Sequence, residues 1–242
     1  MSMKITIAHL YPDLLNLYGD RGNIACLEQR LKWRGIEVET VEVVADEEPD
    51  FTKYDIVLLG GGSDKEQVTV CEKLRKVRFA FRDYVEKDGV VLALCGGYEI
   101  LGKYFSNAEG KFEGLDLVDI YTELGNERMF ANVVLESDMT SMPVVGFTNH
   151  SGRTFIGEGK ALGKVVVGYG NEGAEGCEGV VYKNVIGTYL YGPLLPKNPE
   201  VTDWLLKKAL ERKYSEAELA SLDDSVEKAG NDYICKRFTA NK

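Results

Sequence analysis

The chain has 242 residues, a net charge of −10 at neutral pH and 44% hydrophobic residues. This length suits one large α/β domain or two small ones, and the acidic balance argues against a nucleic-acid-binding protein. No apolar run is long enough to span a membrane, and the amino-terminal residues lack the features of a signal peptide. The five cysteines include no Cys-x-x-Cys pair, which favours a reducing cytoplasm over a disulfide framework or a zinc site.

The first part of the chain predicts strands that alternate with helices. Apolar runs predict strands over residues 3–10, 36–44, 54–59 and 90–94. Amphipathic patterns predict helices over 23–34 and 66–87, and a further helix over 98–105. This order predicts an α/β fold with three layers around a mostly parallel, doubly wound sheet. In such a sheet the functional loops lie at the carboxyl ends of the strands.

The second part of the chain is rich in predicted strands. Short apolar segments separated by glycine-rich turns fill residues 114–192, and the last of them is a strand over 185–190. A helix is predicted over 202–214. The polar residues beyond 215 predict a solvated helical tail or a segment that docks on a partner. We therefore divide the chain into one domain, residues 3–205, and a C-terminal helical extension, residues 206–242.

The most informative stretch is the strand that runs directly into Cys95, Gly96 and Gly97. Small residues flank the cysteine on both sides, Ala93 before it and Gly97 after it, as a sharp strand-to-helix turn requires. This pattern predicts a nucleophile elbow. At the start of the following helix, unpaired N–H groups would favour a thiolate, and the Gly96 N–H would face an oxyanion. The alternative is a buried structural cysteine at a strand end.

A triple glycine, Gly60-Gly61-Gly62, ends the predicted strand over 54–59. It is either a plain tight turn or a backbone surface that a substrate can approach closely. The sequence has neither a phosphate loop nor a dinucleotide-binding fingerprint. Beside a cysteine elbow, the triple glycine favours an oxyanion hole.

Six segments of the sequence together resemble one known family, the class I glutamine amidotransferase domains of the cobyric-acid-synthase (CobB/CobQ) type. Within it, the resemblance is strongest to the glutaminase subunits of lipid II isoglutaminyl synthases, and it covers roughly residues 5–205. The segments are Ala-His-Leu-Tyr at 8–11, Asn-Leu-Tyr-Gly-Asp-Arg-Gly-Asn at 16–23, Gly-Gly-Gly-Ser-Asp-Lys-Glu-Gln at 60–67, Leu-Ala-Leu-Cys-Gly-Gly-Tyr at 92–98, Gly-Phe-Thr-Asn-His-Ser-Gly-Arg-Thr at 146–154 and Gly-Thr-Tyr-Leu-Tyr-Gly-Pro-Leu-Leu at 187–195.

The resemblance implies roles for individual residues. Cys95 matches the nucleophile that attacks the carboxamide of L-glutamine, forms a glutamyl thioester and releases ammonia. Gly61, Gly62 and Gly96 match the oxyanion-hole positions. Arg128 falls where the family has an arginine that binds glutamine, a role that suits a cation facing an α-carboxylate. From spacing alone, Arg128 is a surface arginine.

The resemblance also implies a partner. Making an amide from a carboxylate and ammonia requires activation, normally by ATP, and the sequence has no ATP-binding motif. The family's partner is a Mur-ligase-like (MurT-type) subunit that uses ATP and magnesium to phosphorylate the glutamate of lipid II. We therefore expect no cofactor and no metal in this chain, and contact with lipid II only through the partner.

One position departs from the family. Tyr191 stands where the family has its catalytic histidine, and the chain has only two histidines, His9 and His150. A phenol with a pKa near 10 is a poor base at neutral pH. The departure predicts either weakened glutaminase activity, with a pH optimum shifted upward, or a thiolate that relies on the helix terminus. His150 is predicted to lie in a polar turn, where it either reaches the pocket or makes a structural hydrogen bond, and His9 is predicted to be structural.

Two alternative functions follow from the same residues. One is the glutaminase part of a corrin-amidating synthase, which ranks lower because such proteins usually carry an N-terminal ATP-binding domain. The other is a pseudo-amidotransferase scaffold, which Tyr191 favours and the Cys95 elbow opposes.

Overall fold

The computed structural model describes residues 3–17, 19–215 and 218–240. Tyr18 of the segment 16–23 and residues 216–217 and 241–242 of the predicted tail lie outside the described residues. The described helices are α1 Asp20–Trp33, α2 Asp64–Lys76, α3 Arg78–Glu86, α4 Gly96–Ile100, α5 Pro199–Tyr214 and α6 Ser225–Thr239, with a 3-10 turn at Leu195–Lys197. The strands are β1 Lys4–Leu10, β2 Glu37–Val43, β3 Ile56–Leu59, β4 Val90–Leu94, β5 Tyr104–Asn107, β6 Gly110–Glu113, β7 Ile120–Glu136, β8 Val144–Ile156, β9 Gly163–Val167, β10 Cys177–Glu178, β11 Val180–Tyr182 and β12 Val185–Thr188.

The first sheet has six strands in the order β11-β12-β4-β3-β1-β2, all parallel except the edge strand β11. Successive residues of a strand point to opposite faces, so a strand covered on both sides is apolar throughout. Ile56 and Leu58 pack with α1 and α5, whereas Val57 and Leu59 pack with α2 and α3. The predicted three-layer, mostly parallel arrangement is confirmed.

The predicted strands of the second part form a separate sheet. Its order is β10-β9-β7-β5-β6, with β8 paired to β7, and its pairings are antiparallel except for β5 with β7. The sequence predicts strands here but not this second sheet, because strand periodicity specifies which residues face inward and not which strands pair.

Two predicted helices differ from the structure. The predicted helix over 66–87 is two helices, α2 and α3, which meet at Val77, where φ is −110° and ψ is 15°. The predicted helix over 98–105 ends early, because α4 stops at Ile100 and β5 begins at Tyr104. Gly102 lies between them, and a Cβ there would lie 2.7 Å from the carbonyl oxygen of Ile120. The chain turns at Gly102 because β7 passes directly against it.

The C-terminal helix α6 contacts the domain, although Asn231 is its only buried residue among those described and most of its side chains are exposed, as predicted for a solvated tail. The buried Arg30 of α1 donates from Nε and Nη2 to the Asp203 carboxylate, at 2.8 and 2.7 Å, and from Nη1 to Asp224, at 2.6 Å. On α6, Asn231 donates to the carbonyl groups of Pro143 and Lys197. The predicted boundary between residues 205 and 206 falls inside α5.

We expect Asp203→Ala to lower the free energy of unfolding by about 3 kcal/mol, because it leaves the buried Arg30 short of a partner. Asp203 also accepts a hydrogen bond from Arg34, so the same change affects two arginines. Urea denaturation measures the loss. The matched control is Glu39→Ala, which breaks the exposed Lys4–Glu39 pair and is expected to cost far less. Equal effects of the two variants would show that the Arg30 cluster contributes no more than a surface ion pair.

Candidate active site

Cys95 occupies a sharp turn between β4 and α4, as the sequence predicts. Its φ of 50° and ψ of −117° form a conformation that residues other than glycine rarely adopt, typical of a nucleophile elbow. A Cβ on Gly97 would lie 2.6 Å from the carbonyl oxygens of both Leu59 and Gly60. The elbow therefore packs directly against the end of β3, which places Cys95 beside the triple-glycine loop.

Cys95 opens into a small polar cavity of about 230 Å³. Four further predicted site residues, Gly62, Gly96, Arg128 and His150, line it. The full lining comprises Gly62, Asp64, Gln67, Cys95, Gly96, Glu99, Ser106, Asn107, Ala108, Leu124, Arg128, Asn149, His150, Ser151 and Gly152. The other two predicted site residues, Gly61 and Tyr191, are not part of this lining.

Two of the three predicted oxyanion-hole glycines, Gly62 and Gly96, line the cavity that contains the Cys95 sulfur. The Gly96 N–H lies beside the Cys95 sulfur and lowers the pKa of the thiol. A Cβ on Gly62 would lie 2.7 Å from the carbonyl oxygen of Leu14, so this close approach of the loop requires glycine. The Gly61 N–H is directed to the Asp20 carboxylate at 3.4 Å. Gly62 and Gly96 are thus the better placed of the three predicted oxyanion-hole residues.

Burial raises the pKa of the Cys95 thiol, and the nearby Glu99 carboxylate raises it further. Gly96 N–H and the Arg128 cation lower this pKa but do not compensate. The expectation that the helix terminus favours a thiolate is therefore wrong for the resting site. The physical reason is that α4 has only 5 residues, so its dipole is small, while the protein packed around the partly buried Cys95 side chain disfavours a charge on the sulfur.

Arg128 reaches the cavity because of an irregularity in β7. Leu124 pairs with Gly152 and Met129 pairs with His150, so residues 125–128 stand opposite Ser151 alone. Such a bulge redirects side chains, and it is common beside active sites. The Arg128 side chain is exposed, and its Nε donates a hydrogen bond to Asn149 Oδ1. The sequence predicts Arg128 only through the resemblance, because a bulge leaves no periodic signal.

The polar residues that form the cavity floor are not among those predicted from the sequence. Gln67 Nε2 donates to Glu99 Oε2 at 2.6 Å and to the Gly96 carbonyl at 3.2 Å, and Asn107 donates to Gln67 Oε1. Tyr189 OH donates to Glu99 Oε1 at 2.9 Å. Glu99 was detectable, since it follows Cys95 by one helical turn and so shares its face.

Glu99 titrates in the neutral range. Burial raises the pKa of its carboxyl group to about 7, although the hydrogen bonds from Gln67 and Tyr189 lower it in part. An ionised Glu99 disfavours a second negative charge on the neighbouring Cys95 sulfur. The charge state of Glu99 therefore controls how readily the thiol ionises.

We expect Glu99→Gln to shift the pH midpoint of Cys95 alkylation by iodoacetamide downward, because it removes a negative charge beside the sulfur. Mass spectrometry of the Cys95 peptide over a pH series measures the midpoint. The control is Asp83→Asn, which removes an exposed carboxylate on α3 that does not line the cavity. An unchanged or raised midpoint in Glu99→Gln would contradict this coupling.

The two histidines and Tyr191 occupy distinct places. His150 lies in β8 with its ring buried in the cavity wall, so the prediction of a polar turn is wrong. His9 is buried in β1, away from the cavity lining. Tyr191 follows β12, pairs with Phe147, and donates its hydroxyl hydrogen to the Asn149 carbonyl at 2.7 Å. It thus supports the strand next to His150.

Two properties concern metals and membranes. Among residues 3–17, 19–215 and 218–240, no three His, Cys, Asp or Glu side chains are grouped to hold a metal ion, and all five cysteines are free. No helix in the described part of the chain has the length and apolar character needed to cross a membrane.

A cysteine elbow at the carboxyl end of a central parallel strand, with the Gly96 amide beside its sulfur in a small cavity, defines a class I amidotransferase-type site. A family model described as a CobB/CobQ-like glutamine amidotransferase domain matches residues 6–199. The chain belongs to this family, which confirms the resemblance.

Within this family, the chain is similar to two kinds of protein. The chain is 43% identical to the GatD subunit of lipid II isoglutaminyl synthase (glutamine-hydrolyzing) of Staphylococcus aureus, over 99% of this chain and 98% of the relative. It is 40% identical to the GatD subunit of Streptococcus pneumoniae, over 88% of this chain and 83% of the relative. A probable cobyric acid synthase of Methanocaldococcus jannaschii is more distant, at 33% identity over 62% of this chain and 32% of the relative.

Solved structures agree on the fold. A glutamine amidotransferase structure has a TM-score of 0.54 at 17% identity and covers 84% of this chain and 98% of its own. A glutamine amidotransferase from Thermotoga maritima has a TM-score of 0.50 at 14% identity, with coverages of 96% and 97%. At such identities the likeness concerns the fold alone.

Proposed function

We propose that this chain is the glutaminase subunit of a lipid II isoglutaminyl synthase. The observation that carries the glutaminase chemistry is Cys95 at a strained elbow, with the Gly96 N–H beside its sulfur and a cation in the same cavity. The choice of lipid II as acceptor rests on the similarity to GatD subunits along nearly the whole chain.

The cavity suits a small zwitterion. Its volume of about 230 Å³ matches a free amino acid better than a nucleotide. Arg128 is a cation whose planar guanidinium can bind an α-carboxylate through two hydrogen bonds. Glu99 and Asp64 line the same cavity and supply negative charge for an α-ammonium group. We assign these groups to the two ends of glutamine, with its carboxamide directed at Cys95.

In the proposed reaction the Cys95 sulfur attacks the carboxamide carbon as the thiol proton is removed. The amides of Gly96 and Gly62 stabilise the oxyanion. The C–N bond then breaks as the nitrogen takes up a proton. Ammonia departs, and a glutamyl thioester remains on Cys95. Water attacks this thioester, and glutamate departs as the sulfur is protonated again.

Amide formation on lipid II then needs a second protein. We propose a Mur-ligase-like partner of the MurT type, which would hold ATP and magnesium, phosphorylate the acceptor glutamate and receive the ammonia. Lipid II would reach the complex through that partner. Five free thiols suit the reducing cytoplasm, which is the compartment we propose.

The test combines the purified chain with this partner, ATP, magnesium, lipid II and glutamine labelled with ¹⁵N in its side-chain amide. We expect labelled amide on lipid II with both subunits, and none with this chain alone. Amidation by this chain alone would contradict the need for a partner. Transfer to a corrin acid in place of lipid II would support the cobyric-acid alternative, and no release of ammonia from glutamine under any condition would support the scaffold alternative.

A further inference from the structure

The His150 ring is held in the wall of the Cys95 cavity by contacts on two sides. It is only 3% exposed, and its Nδ1 lies 2.9 Å from the Gly152 carbonyl oxygen. Its face stacks on the Tyr189 ring, with 3.6 Å between ring centroids and an angle of 4° between planes. Tyr189 is itself fixed by hydrogen bonds to Glu99 and Thr154. The imidazole therefore has one orientation.

This orientation selects one tautomer. A carbonyl oxygen only accepts hydrogen bonds, so Nδ1 carries the hydrogen and Nε2 keeps its lone pair. His150 Nε2 is buried and has no hydrogen-bond partner in the described part of the protein. Leaving such an atom unpaired costs free energy unless a ligand or a reacting group uses it. His9 Nε2 is also buried without such a partner among the described residues, but of the two histidines it is His150 that lines the Cys95 cavity. Burial also lowers the pKa of His150 to about 3, so the ring is neutral at the pH of an assay.

We propose that His150 is the base that accepts the thiol proton of Cys95 and delivers it to the departing ammonia. This assignment rests on the glutaminase function proposed above. In the first half of the reaction the S–H bond breaks, Nε2 takes the proton, and the S–C bond forms. The same proton then passes to the nitrogen as the C–N bond breaks. In the second half, Nε2 takes a proton from the attacking water and returns it to the sulfur.

The charged groups around the cavity affect the transfer of the proton from Cys95 to His150. Arg128 lowers the pKa of both Cys95 and His150, and Arg153 also lowers that of His150. A thiolate and an imidazolium in one cavity stabilise each other. A weakly basic imidazole also gives its proton readily to the leaving nitrogen. Tyr191 is less suited, since its hydroxyl hydrogen is donated to the Asn149 carbonyl.

The main experiment measures ammonia release from glutamine by the chain together with its partner. We expect His150→Gln to lower kcat by about 10²–10⁴-fold with little change in KM. His150→Ala should recover activity in proportion to added imidazole, because the small base can occupy the vacated space. The matched control is His9→Gln, which changes the other buried histidine and should retain kcat. Tyr191→Phe, which keeps the ring and removes the hydroxyl group, should also retain most of it.

Several results would overturn the assignment. One is an unchanged kcat in His150→Gln. Another is a loss in His150→Ala that imidazole does not rescue, accompanied by loss of ammonium-dependent amidation, which would indicate a structural role. A third is a larger loss of kcat in Glu99→Gln than in His150→Gln, which would make Glu99 the base. Absence of ammonia release by the wild-type complex would instead contradict the glutaminase function itself. Slower alkylation of the Cys95 peptide in His150→Gln, with His9→Gln unaffected, supports the assignment without the partner.

Discussion

Cys95→Ala is expected to abolish glutamine-dependent amidation of lipid II while ammonium salts still support amidation by the same complex. The reason is that the sulfur forms the bond to the carboxamide carbon, and no other described thiol lines this cavity. Product formation is measured with glutamine and with ammonium chloride under otherwise identical conditions. The expected loss with glutamine exceeds that of any other variant considered.

The control for this variant is Cys177→Ala. Cys177 is an exposed free thiol on β10, and its removal should leave both reactions unchanged. If Cys95→Ala lost the glutamine reaction and the ammonium reaction equally, the residue would support the complex and not the hydrolysis.

Arg128→Ala is expected to raise the KM for glutamine by about 10–100-fold, the range that corresponds to a charged hydrogen-bonding group. Loss of the guanidinium removes the cation that we assign to the α-carboxylate, whereas the sulfur and the oxyanion donors stay in place. Arg128→Lys should give an intermediate KM, because it keeps the charge and loses the planar pair of donors. Steady-state ammonia release at varied glutamine concentration gives both constants.

A surface arginine provides the comparison. Arg82 on α3 pairs with Asp116, and neither residue lines the cavity, so Arg82→Ala should leave the KM unchanged. A fall in kcat at unchanged KM in Arg128→Ala would place this residue in the reaction step and not in glutamine binding.

The elbow and the parallel sheet could be predicted from the sequence because both depend on local patterns. A strand buried on both faces is apolar throughout, and the turn at Cys95 needs small neighbours such as Gly97, which contacts the end of β3. Each of these signals lies within a few residues of the feature it predicts.

The position of His150 within a strand could not be predicted from the sequence, for a different reason. The residues Ser151, Gly152 and Arg153 are typical of a turn, yet they belong to β8. A side chain at Gly152 would collide with the Glu99 carboxylate and the Tyr189 hydroxyl, so glycine is needed there for packing and not for a turn. That requirement comes from α4 and the residue after β12, which are distant in sequence.

The contact of α6 with the domain could not be predicted from the sequence because it is made by residues far apart in the chain. Arg30 meets Asp203 and Asp224, which are separated from it by 173 and 194 residues. The charged residues of the tail are typical of a solvated helix when they are taken alone. Only the fold brings an arginine of α1 beneath them.

The glutaminase chemistry at Cys95 is tested most directly by trapping its covalent intermediate. The complex is mixed with glutamine, quenched in acid within the first turnover, and digested, and the peptide that contains Cys95 is analysed by mass spectrometry. A glutamyl group attached through the sulfur, present in the wild type and absent in Cys95→Ala, is the predicted result. Ammonia release with no glutamyl adduct on Cys95, or with the adduct on another residue, would contradict the assignment of Cys95 as the nucleophile.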